Sequence, residues 1–328
     1  MGKKVVRIIV ILCVVCAAVA YYAVWAPHYF VSPKTVVIGK GKSFAAAAEV
    51  LRDSGVIASS TLFRAVGKAF GIRTVRAGRY VFESGRSSLD LMRDLETGRS
   101  AVSFFVTIPE GTRGVQIAHI LRRELDIDSV KFMTLFADGA EFGFPRKTAS
   151  LEGYLFPDTY DFEWQEDERE IITRMVHRYK KFFVDSLARR AAALKLSIND
   201  VMTMASIVEG EAVKDEERPV IAGLYYNRLK KKMRLEADPT VQYAIPDGPR
   251  RLTYLDLKIP SPYNTYRTKG LPPGPINNPG RASILAALFP AHHKYLFFVA
   301  DGTGGHLFAQ TYDEHMKNVR AYRKRRAL

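Results

Sequence analysis

A chain of 328 residues with 47% hydrophobic and 25% charged residues has an ordinary globular composition, which excludes wholesale disorder and leaves room for two domains. The formal net charge of +15 suggests an anionic partner or surface, such as nucleic acid, lipid headgroups or an acidic polymer, and charge alone does not choose among them. Both cysteines, Cys13 and Cys16, lie in the apolar N-terminal stretch, so the rest of the chain has neither a disulfide framework nor a thiolate metal site.

The N-terminal stretch predicts a membrane anchor. Three basic residues among the first seven precede nineteen uncharged residues, 8–26. As a helix this stretch would be about 28 Å long, close to the ~30 Å hydrocarbon core of a bilayer. Tyr21, Tyr22 and Trp25 would suit the membrane interface. The alternative is a cleavable signal peptide, because small residues ending at Ala20 resemble a cleavage site. In either case the bulk of the chain is expected to be exported.

Two segments of the N-terminal half share one plan of strand, glycine turn and helix. Residues 35–57 begin with the alternating side-chain pattern of a strand. They then turn near Gly41 and continue with apolar residues at helical spacing. Residues 104–127 repeat this order with Gly111 at the matching position. Because no third copy is visible, the pattern indicates two related units and not a solenoid.

The residues between the two copies predict a small mixed unit. Helices are expected near 62–70 and 89–97, with a strand at 79–82 between them and Gly98 ending the second helix. Together, residues 34–100 resemble in outline a LysM-type module, a small β-α-α-β fold that binds N-acetylated glycans. The alternative is a spacer that holds the main domain away from the membrane.

Residues 197–213 carry the strongest candidate for chemistry. Ser197 and Asp200 have the spacing of a capping box, which predicts the start of a helix. Apolar residues follow at helical spacing: Val201, Met202, Ala205, Val208 and Ala212.

Two carboxylates of this predicted helix are expected to face opposite ways. Glu209 lies seven residues after Met202 and four after Ala205, so it projects from the apolar side. Glu211 is turned roughly 200° away, toward water. Burial disfavours the charged form of a carboxyl, so a buried Glu209 would be able to keep a proton for general acid catalysis. The alternative is a structural ion pair between Glu209 and one of the many Arg and Lys residues.

Residues 151–162 combine four aromatic rings with carboxylates, among them Glu152 and Asp158. This is the composition of a sugar site, in which rings stack on the C–H faces of a sugar and acids bind its hydroxyls. It is equally the composition of an aromatic core beneath a loop. A charged helix is expected to follow, over about 168–194.

The last third of the chain is expected to combine helices with irregular backbone. Pro219 suits the first turn of a helix that continues through 220–233. The Pro-rich and Gly-rich passage 235–279 is expected to be an ordered, functional loop system. Residues 294–312 predict a hairpin that turns at 301–305 and is followed by a short helix.

Six motifs occur in a fixed order, and together they resemble one protein family. They are EGYLFPDTY, ASIVEGEA, RLEADPTVQYAI, YNTY, GLPPGPINNPG and FVADGTGGHLF. With the N-terminal membrane segment they resemble the MltG/YceG family of endolytic murein transglycosylases, over nearly all of the chain from residue 150 onward. The N-terminal half resembles the family in layout more than in motif. Members are inner-membrane proteins that cut the glycan strands of nascent peptidoglycan internally and leave a 1,6-anhydro-N-acetylmuramic acid end.

This resemblance implies an α+β protein in three parts. They are a cytoplasmic N-terminus, transmembrane anchor and linker in 1–33, a LysM-like subdomain in 34–100, and a catalytic domain of mixed α/β structure with long loops in 101–328. The resemblance further implies a single-pass protein of the inner membrane whose bulk is periplasmic or extracytoplasmic. Its implied partners are peptidoglycan glycan strands and peptidoglycan synthases, with no nucleic acid, and it implies no metal or organic cofactor.

The resemblance also implies site residues. The catalytic glutamate of the S-I-V-E-x-E motif falls on Glu209. One carboxyl suffices for a lytic transglycosylase, because the sugar's own C6 hydroxyl is the nucleophile: Glu209 would protonate the glycosidic oxygen and then take the proton from O6. Glu211 would orient its surroundings. The motifs suggest the following cleft-wall or supporting residues for substrate binding: Glu152, Asp158, Asp238, Thr240, Gln242, Tyr243, Asn264 and Tyr266.

Two of the motif positions have a second interpretation. The alternative role of Asp238, with Pro239 and Thr240, is to cap a helix. Gly210 departs from the family pattern, in which a larger residue is common. Because glycine weakens a helix by about 1 kcal/mol, the backbone just after Glu209 is expected to be looser.

Three other functions compete with the transglycosylase. A hydrolytic muramidase would need a second catalytic carboxylate opposite Glu209, for which Asp238 is the best candidate. A non-catalytic, membrane-tethered scaffold that binds glycan would need no catalytic residue. A nucleic-acid binder is suggested by charge alone and conflicts with export.

Overall fold

The computed structural model describes residues 3–145, 150–245 and 250–326, without the side chains of Lys3, Lys4 and Arg326. Residues 246–249 of the predicted loop passage therefore lie outside the described residues, as do the side chains of two basic residues at the N-terminus. The described chain combines helices and short strands and has one apolar N-terminal helix, as predicted. It divides into two compact units. Unit 1 runs to Val106 and adds Glu124–Ile127 and Tyr160–Glu166, and unit 2 holds Thr107–Arg123, Asp128–Thr159 and the chain from Asp167 onward.

Unit 1 begins with the apolar helix and continues with short strands and helices. Its elements are α1 Lys3–Trp25, β1 Pro27–His28, β2 Lys34–Ile38, α2 Phe44–Asp53, α3 Ser60–Ala69, β3 Gly78–Phe82, β4 Arg86–Ser87, α4 Ser88–Thr97, and most of β5 Phe104–Thr107 and of β6 Thr159–Phe162. The strands form three two-stranded sheets, β1 with β4, β2 with β3 and β5 with β6. The predicted positions of the strands and helices in this region are confirmed.

The core of unit 1 follows from the alternation of its strands. In β2, Val36 and Ile38 point inward and are 1% exposed, and in the antiparallel partner β3 the rings of Tyr80 and Phe82 are buried beside them. Each such side chain contributes roughly 1.5–3 kcal/mol by leaving water. The helix ends are also set locally, since α4 begins with a capping box and ends at Gly98 in the left-handed conformation.

Helix α1 has the dimensions of a membrane span. Within the described ranges, Val5–Trp25 is the one single helix that is long and apolar enough to cross a bilayer, at about 31 Å for 21 residues. Its large apolar side chains are mostly exposed, Trp25 included, whereas Ala23 and Val24 enter the core of unit 1. The helix is therefore compatible with a single-pass anchor.

Unit 2 is mostly helical. Its elements are α5 Gly114–Leu125, whose last two residues belong to unit 1, α6 Ser129–Phe136, α7 Glu168–Phe182, α8 Asp185–Ala193, α9 Ile198–Glu211, α10 Arg218–Lys230, α11 Asp238–Ala244, α12 Arg281–Leu288, β7 Phe297–Ala300, β8 His306–Ala309 and α13 Tyr312–Arg326, with 3₁₀ turns at Gly139–Phe142, Asp215–Glu217 and Asp256–Lys258. The predicted helix starts at Ser197 and near Pro219 and the predicted hairpin are confirmed.

Three predictions in unit 2 need correction. The single helix expected over 168–194 is two helices, because Phe183 leaves the helical conformation (ψ 68°) as its ring enters the aromatic core, and Val184 is extended. The passage 235–279 is not wholly irregular, because it contains α11 and a 3₁₀ turn. The final helix, α13, is fifteen residues long and not short.

Helix α9 forms the centre of unit 2. Every residue from Val201 to Val208 is buried, and the helix packs against α8, α10, α11 and α12. An amphipathic surface helix would bury only one side. Because the body of α9 is enclosed on all sides, its last turn emerges from the interior of unit 2 with two partly or largely buried glutamates, Glu209 and Glu211.

Candidate active site

Glu209 is fixed at the C-terminal end of α9 by two hydrogen bonds. The start of α9 is defined, as predicted, by the reciprocal capping box of Ser197 and Asp200. The Glu209 side chain is only 7% exposed. Its Oε1 accepts from Nη1 of Arg218 at 3.1 Å, and its Oε2 accepts from the backbone N–H of Gly280 at 2.9 Å. The carboxylate is therefore held by a cation on one side and by the N-terminus of α12 on the other.

Arg218 links Glu209 to two further groups. Its Nε donates to Asp215 at 2.9 Å and its Nη1 donates to the hydroxyl of Ser283 at 2.5 Å, and its own side chain is 8% exposed. The ion pair that the sequence offered as the alternative interpretation of Glu209 is thus present. An ion pair does not exclude chemistry, because a carboxylate has about four acceptor positions and the two bonds leave others open.

A loop from the start of unit 2 crosses the end of α9. Gly111 has φ +73°, and a Cβ built on it would lie 3.4 Å from Cγ of Glu209. The backbone N–H of Gly111 donates to the carbonyl of Asn278 at 2.9 Å, which ties this loop to the segment before α12. The preceding residue, Glu110, places its carboxylate against the Cα of Gly280, where a Cβ would overlap it.

Contrary to the sequence prediction, Glu211 does not project freely into solvent but is half-buried in the wall of a cleft. Its Oε1 accepts from the hydroxyl of Tyr225 at 2.8 Å. Burial raises the pKa of Glu211 to about 7, and the charge of Asp238 raises it in addition, against the hydrogen bond from Tyr225. The prediction assumed one buried side, but α9 is enclosed on all sides, so a rotation of roughly 200° leads to another packed surface.

A cleft of about 370 Å³ opens at the end of α9, where Glu211 lines it directly and Glu209 lies behind its wall residue Gly111. Its lining residues are Gly111, Arg113, Gln116, Gly210, Glu211, Asp238, Pro239, Gln242, Tyr243, Ile276 and Asn277. The guanidinium of Arg113 lies 4.5 Å from the centre of the Tyr243 ring and donates to the Tyr243 carbonyl at 2.7 Å. The cleft thus combines an aromatic face, a cation and carboxylates.

Three of the eight predicted binding residues line this cleft. Asp238 accepts from the hydroxyl of Tyr266 at 2.6 Å. It is the first residue of α11, whose N-cap position is occupied by Ala237, so Asp238 does not take the alternative role of helix cap. Gln242 uses its side-chain oxygen to accept from the backbone N–H of Arg250 at 2.9 Å. The ring of Tyr243 packs on Arg113 as described.

Four further predicted residues, Thr240, Asn264, Tyr266 and Glu152, lie behind the cleft wall. Thr240 is fully buried and shares a 2.8 Å hydrogen bond with Thr265, and Tyr266 supports Asp238. Asn264 is fully buried and donates to the carbonyls of Leu257 and Ile259 at 3.0 and 2.9 Å. These contacts hold the loops of the passage 235–279 in place.

Glu152, the last of these four residues, is buried, and its burial leads to a testable prediction. Its Oε1 accepts from the Gly114 backbone and from Asn278, both at 3.0 Å. Burial raises the pKa of Glu152 from 4.5 to about 7. Because the pKa of Glu152 is higher in the folded than in the unfolded state, its contribution to the free energy of unfolding is fully present below pH 4.5. This contribution is lost as pH rises toward 7, by about 3 kcal/mol in total. We expect Glu152→Gln to remove this loss, so that the melting temperatures of variant and wild type diverge between pH 5 and 8. If calorimetry gave melting temperatures of wild type and variant that run parallel over this pH range, the result would contradict the prediction.

Asp158 lies in a different cavity of unit 2. This cavity has a volume of about 640 Å³ and is lined by Phe156, Phe182, Arg178, Lys181 and Arg281 among others. Asp158 is paired with Arg178 at 2.5 Å. The structure therefore does not bring Asp158 together with the cleft residues.

Gly210 has a packing role that the sequence did not indicate. A Cβ at this position would lie 2.7 Å from Cβ of Pro239 and 2.8 Å from its Cγ. Real Cβ atoms do not approach so closely, so a larger residue would push α11 away from α9. The helix continues through Gly210 to Glu211, so the glycine permits close packing and does not mark a loosened end.

Several residues of the site were not predicted individually. They are Glu110, Arg113, Arg218, Gly280 and Ser283. Gly280 and Asn278 belong to a quoted motif, GLPPGPINNPG, so their neighbourhood was indicated without their roles. Nothing in the local pattern marks Glu110 or Arg218, because each meets Glu209 only through the tertiary fold.

The fold and the site define a membrane-compatible protein with a buried, ion-paired glutamate beside a polar and aromatic cleft. The YceG-like family model matches residues 36–321. An endolytic murein transglycosylase of Bacillus subtilis (strain 168) is 35% identical over 300 residues, covering 87% of this chain and 83% of that protein. One of Streptococcus pneumoniae serotype 2 is 29% identical over 321 residues, covering 87% of this chain and 57% of that longer protein. A crystal structure of a YceG-like protein from Listeria monocytogenes has a TM-score of 0.62 at 32% identity, covering 87% of this chain and 98% of that one.

This chain therefore belongs to the YceG-like family, as the order of its motifs predicted.

Proposed function

We propose that this chain is an endolytic murein transglycosylase, which cleaves the bond between N-acetylmuramic acid and N-acetylglucosamine inside nascent peptidoglycan strands without water. The names of its relatives support the reaction class. The observation that carries the proposal is the Glu209 carboxylate, held at the end of α9 by Arg218 and Gly280 directly behind a wall residue of the cleft, Gly111.

In the proposed reaction Glu209 serves first as acid and then as base. It protonates the glycosidic oxygen as the bond from C1 of the muramic sugar breaks, and the bonding electrons leave with that oxygen. The C6 hydroxyl of the same sugar then attacks C1, and the Glu209 carboxylate takes the hydroxyl proton. The product is a 1,6-anhydro ring, and the enzyme returns to its starting state.

The cleft supplies the contacts that a glycan needs. Asp238 and Gln242 present acceptors and donors for sugar hydroxyls, and Arg113, packed on the ring of Tyr243, offers a cation for the carboxylates of peptide-substituted murein. In this proposal Glu152, Thr240, Asn264 and Tyr266 keep those wall residues in position. Asp158, in the second cavity, contacts a more distant part of the substrate. The net charge of +15 suits the carboxylates of peptide-substituted murein.

The chemistry of the products tests this proposal. The full chain in detergent micelles is incubated with uncross-linked glycan strands in ¹⁸O-labelled water, and soluble products are analysed by mass spectrometry. We expect internal fragments that end in 1,6-anhydromuramic acid and carry no ¹⁸O. Free reducing ends that carry ¹⁸O would overturn it in favour of a hydrolytic muramidase, for which Asp238, in the same cleft, is the second carboxylate. Intact strands would favour a non-catalytic scaffold.

The N-terminal half is proposed to anchor the enzyme and to hold its substrate. Helix α1, with the linker to residue 33, would make a single-pass anchor in the inner membrane and leave the bulk of the chain periplasmic or extracytoplasmic. Residues 34–100 would form a LysM-like subdomain that binds glycan, and 101–328 the catalytic domain, acting near peptidoglycan synthases. Membrane fractionation with N-terminal sequencing separates this from a cleaved signal peptide, which would release a soluble chain starting near residue 21.

A further inference from the structure

A second carboxylate lies close to Glu209. The carboxylate of Glu110 rests on the Cα of Gly280, in the space that a Cβ would occupy. Glu209 accepts a hydrogen bond from the N–H of that same glycine, at 2.9 Å, and Glu110 accepts from the N–H of the next residue, Arg281. Two successive backbone N–H groups at the start of α12, those of Gly280 and Arg281, therefore each hold one of the two carboxylates.

The two carboxylates differ in their surroundings. The Glu209 side chain is almost fully buried and accepts a charge-assisted hydrogen bond from Arg218. Glu110 is largely exposed and has no such bond from a cation in the described contacts. Burial of part of its side chain and the charge of Glu209 both raise the pKa of Glu110. The charge of Arg218 opposes this rise and that of Asp215 adds to it.

Adjacent carboxylates do not ionise independently. When one of them is charged, the other keeps its proton to a higher pH, and the titration belongs to the pair. A reaction that begins with protonation of a glycosidic oxygen requires such a retained proton near neutral pH. Both oxygens of Glu209 already accept hydrogen bonds, from Arg218 and from Gly280, whereas Glu110 presents an exposed carboxyl beside it, so Glu110 is the neighbour that can keep a proton available to Glu209.

We propose that Glu110 and Glu209 form a carboxyl pair that carries one proton, with Glu110 as the positioning residue that keeps this proton beside Glu209. The proposal rests on the proposed function and deepens it. One proton passes from the pair to the glycosidic oxygen as the C1–O bond breaks. The C6 hydroxyl returns one proton to the pair as its oxygen bonds to C1, so the pair ends as it began.

Three variants test the pair through the pH dependence of the reaction. Since the acid form is required, kcat falls as the pair loses its proton, which gives the alkaline limb of the profile. Glu110→Gln is expected to lower kcat by on the order of 100-fold with little change in KM, and to move the alkaline limb to lower pH. Glu110→Asp is expected to restore part of the rate. Gly280→Ala, whose Cβ would displace the Glu110 carboxylate, is expected to move the limb in the same direction. Glu170→Gln, an exposed glutamate of α7, is the matched control.

A second measurement does not depend on activity. The full chain labelled with ¹³C at the glutamate carboxyls is titrated by NMR in detergent micelles, with Glu110 assigned from Glu110→Gln. We expect Glu110 to titrate above the ordinary range in the wild type and to shift down in Glu209→Gln. An unchanged Glu110 titration, or a Glu110→Gln pH profile that superimposes on the wild-type profile, would overturn the pair. If the wild type releases no anhydro product but the titrations are coupled, the pair stands and the proposed function fails.

Discussion

Glu209→Gln is expected to lower the rate of strand cleavage by on the order of 1,000-fold while the protein stays folded. Glutamine has the same shape, and its oxygen still accepts one of the two bonds from Arg218 and Gly280. It has no proton to give to a glycosidic oxygen and does not take one from a sugar hydroxyl. The loss should therefore fall on kcat, whereas KM for the strand should change little, since the cleft residues are untouched. Release of anhydromuramic ends, followed by mass spectrometry, measures it.

Two controls separate a chemical effect from a structural one. Glu170→Gln makes the same change on an exposed part of α7 and should keep the wild-type rate. Calorimetry of Glu209→Gln should show a cooperative unfolding transition well above the assay temperature, at a melting temperature lowered by the loss of one of the two bonds, because Arg218 retains Asp215 as a partner. Activity within about tenfold of the wild type would show that Glu209 is not the acid.

The position of Glu209 was predictable because local rules determine it. The capping box fixed the start of α9, and the apolar spacing fixed its length and inward side. The same rules failed for Glu211, which they turned toward water. A helical pattern shows which side is apolar, but it does not show whether the polar side meets solvent or another element. Here Tyr225 of α10 and Asp238 of α11 cover that side.

The rest of the candidate site depends on contacts between distant segments. Gly280 lies 71 residues from Glu209 in the chain, and Ser283 lies 65 residues from Arg218. No periodicity or capping rule connects such positions. The motifs marked the passage 235–279 as functional, yet they did not separate Asp238 and Tyr243, which line the cleft, from Thr240 and Asn264, which are fully buried. Whether a polar residue lines the cleft or is buried behind its wall depends on tertiary packing, which a sequence motif does not show.

The fold of unit 1 was largely local and was therefore predicted well. Its strands alternate, and its helices begin at serine caps. The glycine turns of its strand-turn-helix plan share one backbone conformation, with φ +76° at Gly41 and +73° at the matching Gly111 of unit 2. The errors in the C-terminal part, at the break between α7 and α8 and at α11, arise where side chains entering the core of unit 2 override the local pattern.

Arg218→Ala is expected to cost roughly 3–5 kcal/mol of folding free energy at pH 8, because it leaves the buried Glu209 carboxylate without its cation and Ser283 without its donor. Arg218→Lys keeps the charge, but a single ammonium does not reproduce the separate bonds that Nε makes to Asp215 and Nη1 makes to Glu209, so an intermediate loss is expected. Since the penalty comes from an unpaired negative charge, it should shrink as pH falls and carboxylates become protonated. Calorimetric melting temperatures of the three proteins at pH 8 and pH 4.5 measure this. A loss of equal size at both pH values would mean that Arg218 acts by packing alone, and that the charge of Glu209 is compensated elsewhere.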